Sequence, residues 1–228
     1  MPAVPSLQPI WLTEGIEAFH HRPITAQSAL WIPDFGLEVA LVLGSRQDRS
    51  VVDIDAAQQR GVTVTSRRSG GGAVLVSNED LVWFDVVLKA SDPRFTPDVR
   101  RSFDWLGDRL VTILDRIGAP GGTVHRDGLQ HSEWSDLVCF AGLGPGEVMI
   151  DGRKVVGVSQ RRSREAARFQ VAILCRWNPA RMVELLALTA SERERAATDL
   201  QHVAAGVDVS RDEVLRVVIE TLADEPAD

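Results

Sequence analysis

The sequence predicts an α+β fold: a mixed or antiparallel β-sheet with flanking helices and a short helical cap at the C-terminus. Two observations predict it. Up to residue 178 the apolar residues fall mostly into short strand-like runs, with few helical stretches and no strict β–α alternation. After Asn178-Pro179 the pattern turns helical. The expected division is therefore one domain over 1–178 and a small helical cap over 179–228 packed on it.

Residues 1 to 36 hold Trp11, Phe19 and Trp31 among prolines and read as one helix or strand covering the sheet. Strands are expected at 39–43, 62–65, 81–88, 148–150, 154–158 and 171–174, where β-branched and apolar residues cluster. Asp53 to Arg60 reads as a short helix with an Asp cap, closed by Gly61. From 98 to 117, Val99, Phe103, Leu106, Leu110, Ile113, Leu114 and Ile117 recur at helical spacing. Gly118 to Thr123 is a loop. Beyond it, helices are expected at 181–188, 191–203 and 210–223, the last opened by a capping box of Ser210 and Glu213.

With 228 residues the chain is long enough for one sizeable core, and 44% hydrophobic with 25% charged residues describes an ordinary globular protein. A formal net charge of −7 argues against general nucleic-acid binding, and no apolar run reaches the roughly 18 residues of a membrane span. Neither nucleic acid nor membrane is expected as a partner. Met1-Pro2-Ala3-Val4-Pro5 lacks a charged-then-apolar signal layout, so a cytoplasmic location is expected. Cys139 and Cys175, the two cysteines, have no metal-ligand spacing, and the histidines are scattered, so no metal site is expected.

Arg67-Arg68-Ser69-Gly70-Gly71-Gly72-Ala73-Val74 interrupts the β-rich pattern with two arginines and three consecutive glycines. So bare a backbone lets successive N–H groups converge on an anion, or lie against a flat acyl chain. A plain glycine-rich hairpin between 62–65 and 81–84 is the alternative. Neither phosphate-loop nor dinucleotide-turn spacing fits there. A second segment, Asp151 to Arg162, reads as an Asp-Gly turn followed by a cationic pair entering an apolar strand. Sheet geometry would fix the Lys154 ammonium, and a fixed ammonium polarises a carbonyl; a surface lysine beside a hairpin is the plainer reading.

Together these segments resemble the biotin/lipoate ligase and octanoyltransferase superfamily. Its members carry an Arg-Arg-x-Ser/Thr-Gly-Gly-x-Ala-Val loop and a later Gly-Arg-Lys-hydrophobic-x-Gly-x-Ala/Ser-Gln segment. Val42-Leu43-Gly44-Ser45-Arg46-Gln47, followed by Val52-Asp53-Ile54-Asp55 and Gly61-Val62, is similar to that family's Gly-x-x-Gln strand, helix and strand. The resemblance covers roughly residues 37 to 178. It implies the superfamily's catalytic-domain fold, and a carbonyl-stabilising role for Lys154. It implies substrate binding by Gln47, Arg67, Arg68, Ser69, Gly70, Gly71, Gly72, Ala73, Gly157, Ser159, Gln160, Arg161 and Arg162, with the three glycines lining an acyl tunnel.

Cys139 lies 15 residues before Lys154. Its Cys-Phe step resembles the one in which a group of octanoyltransferases places a nucleophilic cysteine. A thiolate there takes an acyl group as a thioester and passes it to a lysine amine without ATP. The other reading is a small buried hydrophobe, and both stand at this point. Cys175 ends the apolar run 171–174 and is expected in the core. His125 and His131 read as surface histidines, with a general base as the alternative.

Arg161, Arg162, Arg164 and Arg168 follow the lysine strand. Over 151–170 six basic residues face two acidic ones, a local +4, whereas over 189–228 four basic face ten acidic, a local −6. The basic loop is open to three readings: an adenylate-phosphate site, a dock for an acidic carrier or lipoyl domain, or a solvated loop paired with the acidic tail.

The chain departs from the family at Leu75-Val76-Ser77-Asn78, where relatives have an acidic or His-Asp step, and at Ala167-Arg168-Phe169-Gln170-Val171, where octanoyltransferases have Gln-His-Gly. Ser159 replaces an alanine of the Gly-x-Ala-Gln step. The resemblance implies a protein acyltransferase of lipoate metabolism moving an octanoyl or lipoyl group to a carrier-domain lysine, without a cofactor if Cys139 is the nucleophile. An ATP- and magnesium-dependent lipoate or biotin ligase, and a non-catalytic acyl or lipoyl-domain binder, are the alternatives.

Overall fold

A computed structural model describes residues 6–223 of the protein. Met1 to Pro5, on which the expectation about a targeting signal rests, and the last five residues of the expected cap lie outside the described residues. In chain order the strands are β1 (Gln8–Leu12), β2 (Ala29–Pro33), β3 (Ala40–Leu43), β4 (Thr63–Ser66), β5 (Val74–Val76), β6 (Leu81–Lys89), β7 (Thr123–Val124), β8 (Val148–Ile150), β9 (Arg153–Arg162) and β10 (Ala166–Leu174). The α-helices are α1 (Ile16–His21), α2 (Ile54–Gln59), α3 (Asp104–Arg116), α4 (Pro179–Val183), α5 (Ala190–Asp199) and α6 (Arg211–Leu222).

Two sheets form rather than the single one expected. Seven strands run in the order β1-β2-β6-β10-β9-β8-β7, and three in the order β4-β3-β5. Each is mixed: β1 is parallel to β2 and β3 to β4, while the other neighbours are antiparallel. The glycine-rich loop is therefore no hairpin between the strands at 62–65 and 81–84. It joins β4 to β5, which flank β3 on opposite sides.

Strand alternation stacks these sheets into layers. Val82, Phe84 and Val86 of β6 and Phe169, Val171 and Ile173 of β10 meet α3 and α6 through Leu110, Ile113, Val214 and Val218. The opposite face presents Trp83, Val87, Ala172 and Leu174 to Ala40 and Val42 of β3 and to Val74 and Val76 of β5. Leu41 and Leu43, on the far side of β3, are covered by Met182, Leu186, Ala196 and Leu200. Both large faces of the inner sheet are thus dry, which is why β6 and β10 are buried almost throughout.

Several elements differ from expectation. Residues before 36 form two strands and a helix. The helix of 98–117 starts at Asp104 after a 3-10 turn at Arg101–Phe103, and Val99, counted with its apolar face, is 53% exposed. Ser210 accepts from the Glu213 N–H, but the Glu213 carboxylate pairs with Arg216, so that capping box is half made; the complete one joins Thr189 and Glu192. The helices after residue 178 are divided between layers: α6 packs on α3 against the inner sheet, while α4 and α5 pack on the three-stranded sheet. No helix among the described residues is long and apolar enough to cross a membrane.

Candidate active site

The glycine-rich loop is built around Arg67. Its guanidinium is buried and donates to Ser69 Oγ (3.1 Å), Val42 O (3.1 Å), Gly70 O (2.7 Å) and Gly72 O (2.9 Å), and it reaches within 3.8 Å of Cys139 Sγ. Desolvation lowers its pKa from the usual arginine value. Arg67 is thus the internal frame of the loop, whereas Arg68 is exposed at its rim. Gly44 of the preceding strand end is required by contact: a Cβ there would lie 1.8 Å from the Gly71 carbonyl oxygen. Gln47 closes the same corner, accepting from Gly44 N (2.9 Å) and donating to the carbonyl of Asp136 (2.7 Å).

Those contacts stitch the glycine loop to the segment carrying Cys139. Ala73 N donates to Leu137 O (2.8 Å) and Cys139 N to Ala73 O (3.0 Å). A Cβ on Gly72 would meet Cys139 N at 2.7 Å, so the two backbones cross with no room for a side chain. Cys139 then opens a 3-10 turn, Cys139–Ala141, and stays half-buried.

Lys154 reaches this turn because of a β-bulge. Val148 pairs with Val156 but Met149 with Lys154, so β9 spends one extra residue against β8. Without it Lys154 would share a face with Val158 and Gln160; with it Lys154 joins the face of Gly157, where a Cβ would sit 3.6 Å from Lys154 Cε. The Asp151-Gly152 turn that starts β9 has positive φ at both residues, 51° and 75°, as the sequence predicts. The ammonium is buried and donates to Cys139 O (3.0 Å) and Gly142 O (2.9 Å), pairs with Glu147 Oε2 (2.7 Å) and lies 5.0 Å from the centre of the Phe140 ring. The Lys154 ammonium therefore touches the main chain of Cys139. Glu147, a lone carboxylate in an apolar stretch, is a site residue the sequence reading missed.

The inner sheet supplies the floor. Ser69 Oγ contacts Ser159 Oγ (3.0 Å) and donates to Gln170 Oε1 (2.7 Å), and the Gln170 amide meets His20 Nδ1 (3.2 Å). Beside it Arg168 pairs with Asp85 and donates to Phe19 O (2.9 Å) and Arg22 O (3.0 Å). Arg168 is thus withdrawn from the surface basic cluster in which the sequence placed it. Gln170 and His20 were also missed; for Gln170 the signal is the alternation of polar residues with Phe169 and Val171 on a buried strand, and for His20, on α1, there is none.

Not every expected residue converges here. On β9, Ser159 and Arg161 share the site face, and Arg161 feels the charge of Arg68. Gln160 and Arg162 point the other way: Gln160 donates to Ser102 Oγ (3.1 Å) and Arg162 lies 4.5 Å from the Phe95 ring centre. His125 is buried, not on the surface, its ring bonded to Gly128 O at 2.9 Å; His131 is exposed. Cys175 is core, and burial pushes its thiol up to about 11. No cluster of metal-ligating side chains occurs among the described residues. The arrangement offers a half-buried thiol beside the Arg67 guanidinium, on a turn whose main-chain carbonyl holds the Lys154 ammonium, next to a bare backbone: a site suited to nucleophilic acyl chemistry.

A model of the lipoyl protein ligase A/B catalytic domain matches residues 36–223. The octanoyltransferase LipM of Moorella thermoacetica is 27% identical over 158 residues, covering 69% of this chain and 57% of that protein. The LipM of Kyrpidia tusciae is 28% identical over 183 residues, covering 76% and 66%. The chain thus spans about 57% and 66% of the length of these two relatives. A bipartite lipoate protein ligase from Thermoplasma acidophilum superposes with a TM-score of 0.69 over 96% of this chain and 84% of its own at 19% identity. Lipoate-protein ligase A bound with ATP does so with 0.66, over 96% and 85%, also at 19%. At that identity these two establish the fold alone. With the fold shared and the family model matching from residue 36 to residue 223, the chain belongs to the lipoyl protein ligase A/B catalytic-domain family.

Proposed function

We propose that the protein is a cysteine-dependent acyltransferase of lipoate metabolism, moving an octanoyl or lipoyl group to a lysine of a lipoyl carrier domain. The observation that supports this reading is the contact of Lys154 with the main chain of Cys139, together with the approach of Arg67 to the thiol. Cys139 Sγ attacks the carbonyl of a donor thioester. A new C–S bond forms, the donor C–S bond breaks, and the proton of the Cys139 thiol ends on the departing donor sulfur. The acceptor amine then attacks the same carbon, a C–N bond forms, the bond to Sγ breaks, and the proton lost by the amine returns to Sγ. In both steps the carbonyl oxygen gathers negative charge, which the Lys154 ammonium stabilises once one of its present partners is released.

The LipM relatives are octanoyltransferases by name, and the archaeal ligase belongs to a lipoylation system with an E2 lipoyl domain, which supports a carrier-domain acceptor here. In this reading the reaction needs neither ATP nor magnesium and takes place in the cytoplasm; Arg68 and Arg161, exposed or half-exposed at the rim, face the incoming carrier. The test is transfer to a lipoyl domain from octanoyl-carrier thioester, with and without ATP and magnesium. Transfer without them supports the transferase. Transfer of free lipoate that requires them supports a ligase, and binding without a mass change in the lipoyl domain supports a binder.

A further inference from the structure

Resting on that reading, we propose that Glu147 is the positioning residue of the transfer centre: its carboxylate is the pivot on which Lys154 turns from the Cys139 and Gly142 carbonyls to the acyl carbonyl on Cys139.

An ammonium has three N–H donors. In Lys154 all three are engaged, by Cys139 O at 3.0 Å, Gly142 O at 2.9 Å and Glu147 Oε2 at 2.7 Å. No donor is left for a substrate, so stabilising an acyl oxygen requires one partner to be released. Two of the three are neutral backbone carbonyls, and charge-assisted bonds are roughly twice as strong as neutral ones. The carbonyls are therefore exchanged and the carboxylate kept.

Glu147 is itself immobilised. Its Oε1 accepts from Val158 N (3.1 Å) on β9 and its Oε2 from Gly144 N (2.7 Å) in the loop after Cys139. One carboxylate thus fastens the strand bearing the cation to the loop bearing the nucleophile. The side chains of Lys154 and Glu147 are 3% and 6% exposed, so losing the carboxylate would leave an unpaired buried charge. Glu147 touches neither the sulfur nor the acyl group in this scheme and acts through Lys154.

The experiment is a double-mutant cycle of Glu147→Gln with Lys154→Met, read in two assays on the full chain. In octanoyl transfer from carrier thioester, Glu147→Gln is expected to lower kcat about 100-fold with KM for the donor unchanged, and Glu147→Asp to regain about tenfold of that loss. In the Lys154→Met background Glu147→Gln costs nothing further. The second assay, the rate of Cys139 alkylation by iodoacetamide read by mass, needs no acyl donor. There the effect of Glu147→Gln on labelling is expected to differ about tenfold between the wild-type and Lys154→Met backgrounds. Equal losses in both backgrounds, or no loss in either, overturn the proposal. If the Gln variant does not fold, the Asp variant carries the same cycle. Coupling in alkylation with no acyl transfer by the wild type supports Glu147 as pivot and overturns the transferase reading instead.

Discussion

The ammonium of Lys154 lies 3.0 Å from the carbonyl oxygen of Cys139, so the cation on β9 touches the turn that carries the nucleophile of the proposed transfer although 15 residues separate them in the chain. That separation is filled by the turn at Cys139–Ala141, by β8 and by the Asp151-Gly152 turn, and the bulge at Val148/Met149 sets the face on which Lys154 emerges. The geometry of the site is thus a property of backbone register as much as of side chains.

The approach of the glycine loop to the end of β3 leaves no space for a methyl group. Gly44→Ala places Cβ 1.8 Å from the Gly71 carbonyl oxygen and is expected to cost about 3 kcal/mol of stability. Gly70→Ala meets nothing within 4 Å and is expected to change stability by less than about 1 kcal/mol. Urea denaturation of the two variants checks the contrast.

The two cysteines differ in reactivity. Burial raises the Cys175 thiol to about 11, and its side chain is 4% exposed, whereas Cys139 is half-buried beside Arg67. Alkylation at neutral pH is expected to add one label, on Cys139, with the second added only on unfolding. Peptide mapping of the labelled protein gives the answer, and early labelling of Cys175 contradicts it.

His20 sets a pH dependence. Desolvation first, then the charges of Arg67, Arg168 and His21, hold its imidazole well below 6.5, so it is neutral in the native protein. Below about pH 6.5 the unfolded chain binds a proton that the folded chain refuses. Stability therefore falls as pH drops through this range, by at most about 1.4 kcal/mol per pH unit from this group, and is insensitive to it above. His20→Gln is expected to flatten the slope in urea melts between about pH 5 and 7. An unchanged slope contradicts a neutral buried His20.

Removing residues 179–228 is expected to abolish folding rather than to release a stable domain. Val214, Leu215, Val217, Val218 and Leu222 of α6 are buried in the core of the inner sheet. At about 2 kcal/mol for each large side chain their burial approaches the entire stability of a domain. Circular dichroism of the truncated chain checks this, and a cooperative melt would contradict it.

How much of this was legible follows from where the signals lie. The glycine loop and the Asp-Gly turn stood out because their backbones need residues without Cβ or with positive φ, and sequence shows such residues directly. The three ordered motifs pointed to Lys154, and a Cys-Phe step 15 residues before it to Cys139, with a buried core cysteine left open as the alternative. The face of Lys154 did not show, because a bulge shifts side-chain parity without any marker residue, and the same parity sends Gln160 and Arg162 away from the site. Arg168 and Gln170 weakened the apparent strand of β10, so it read as starting at Val171, although both are buried between the sheets. Glu147 acquires meaning only once the turn into β9 folds Lys154 and Val158 back onto it, and His20 only from Gln170, 150 residues away in the chain. The split of strands between two sheets depends on long-range pairing of β3 with β4 and β5, which local propensity does not encode.

The central claim, that Cys139 carries the acyl group, is tested most directly by the intact mass of the protein after incubation with octanoyl-carrier thioester in the absence of ATP. The expected result is a gain of one octanoyl group that is reversed by hydroxylamine and absent in Cys139→Ala, with the fold of that variant checked by circular dichroism. A gain that persists in Cys139→Ala, or transfer to a lipoyl domain at an unchanged rate by that variant, would contradict it.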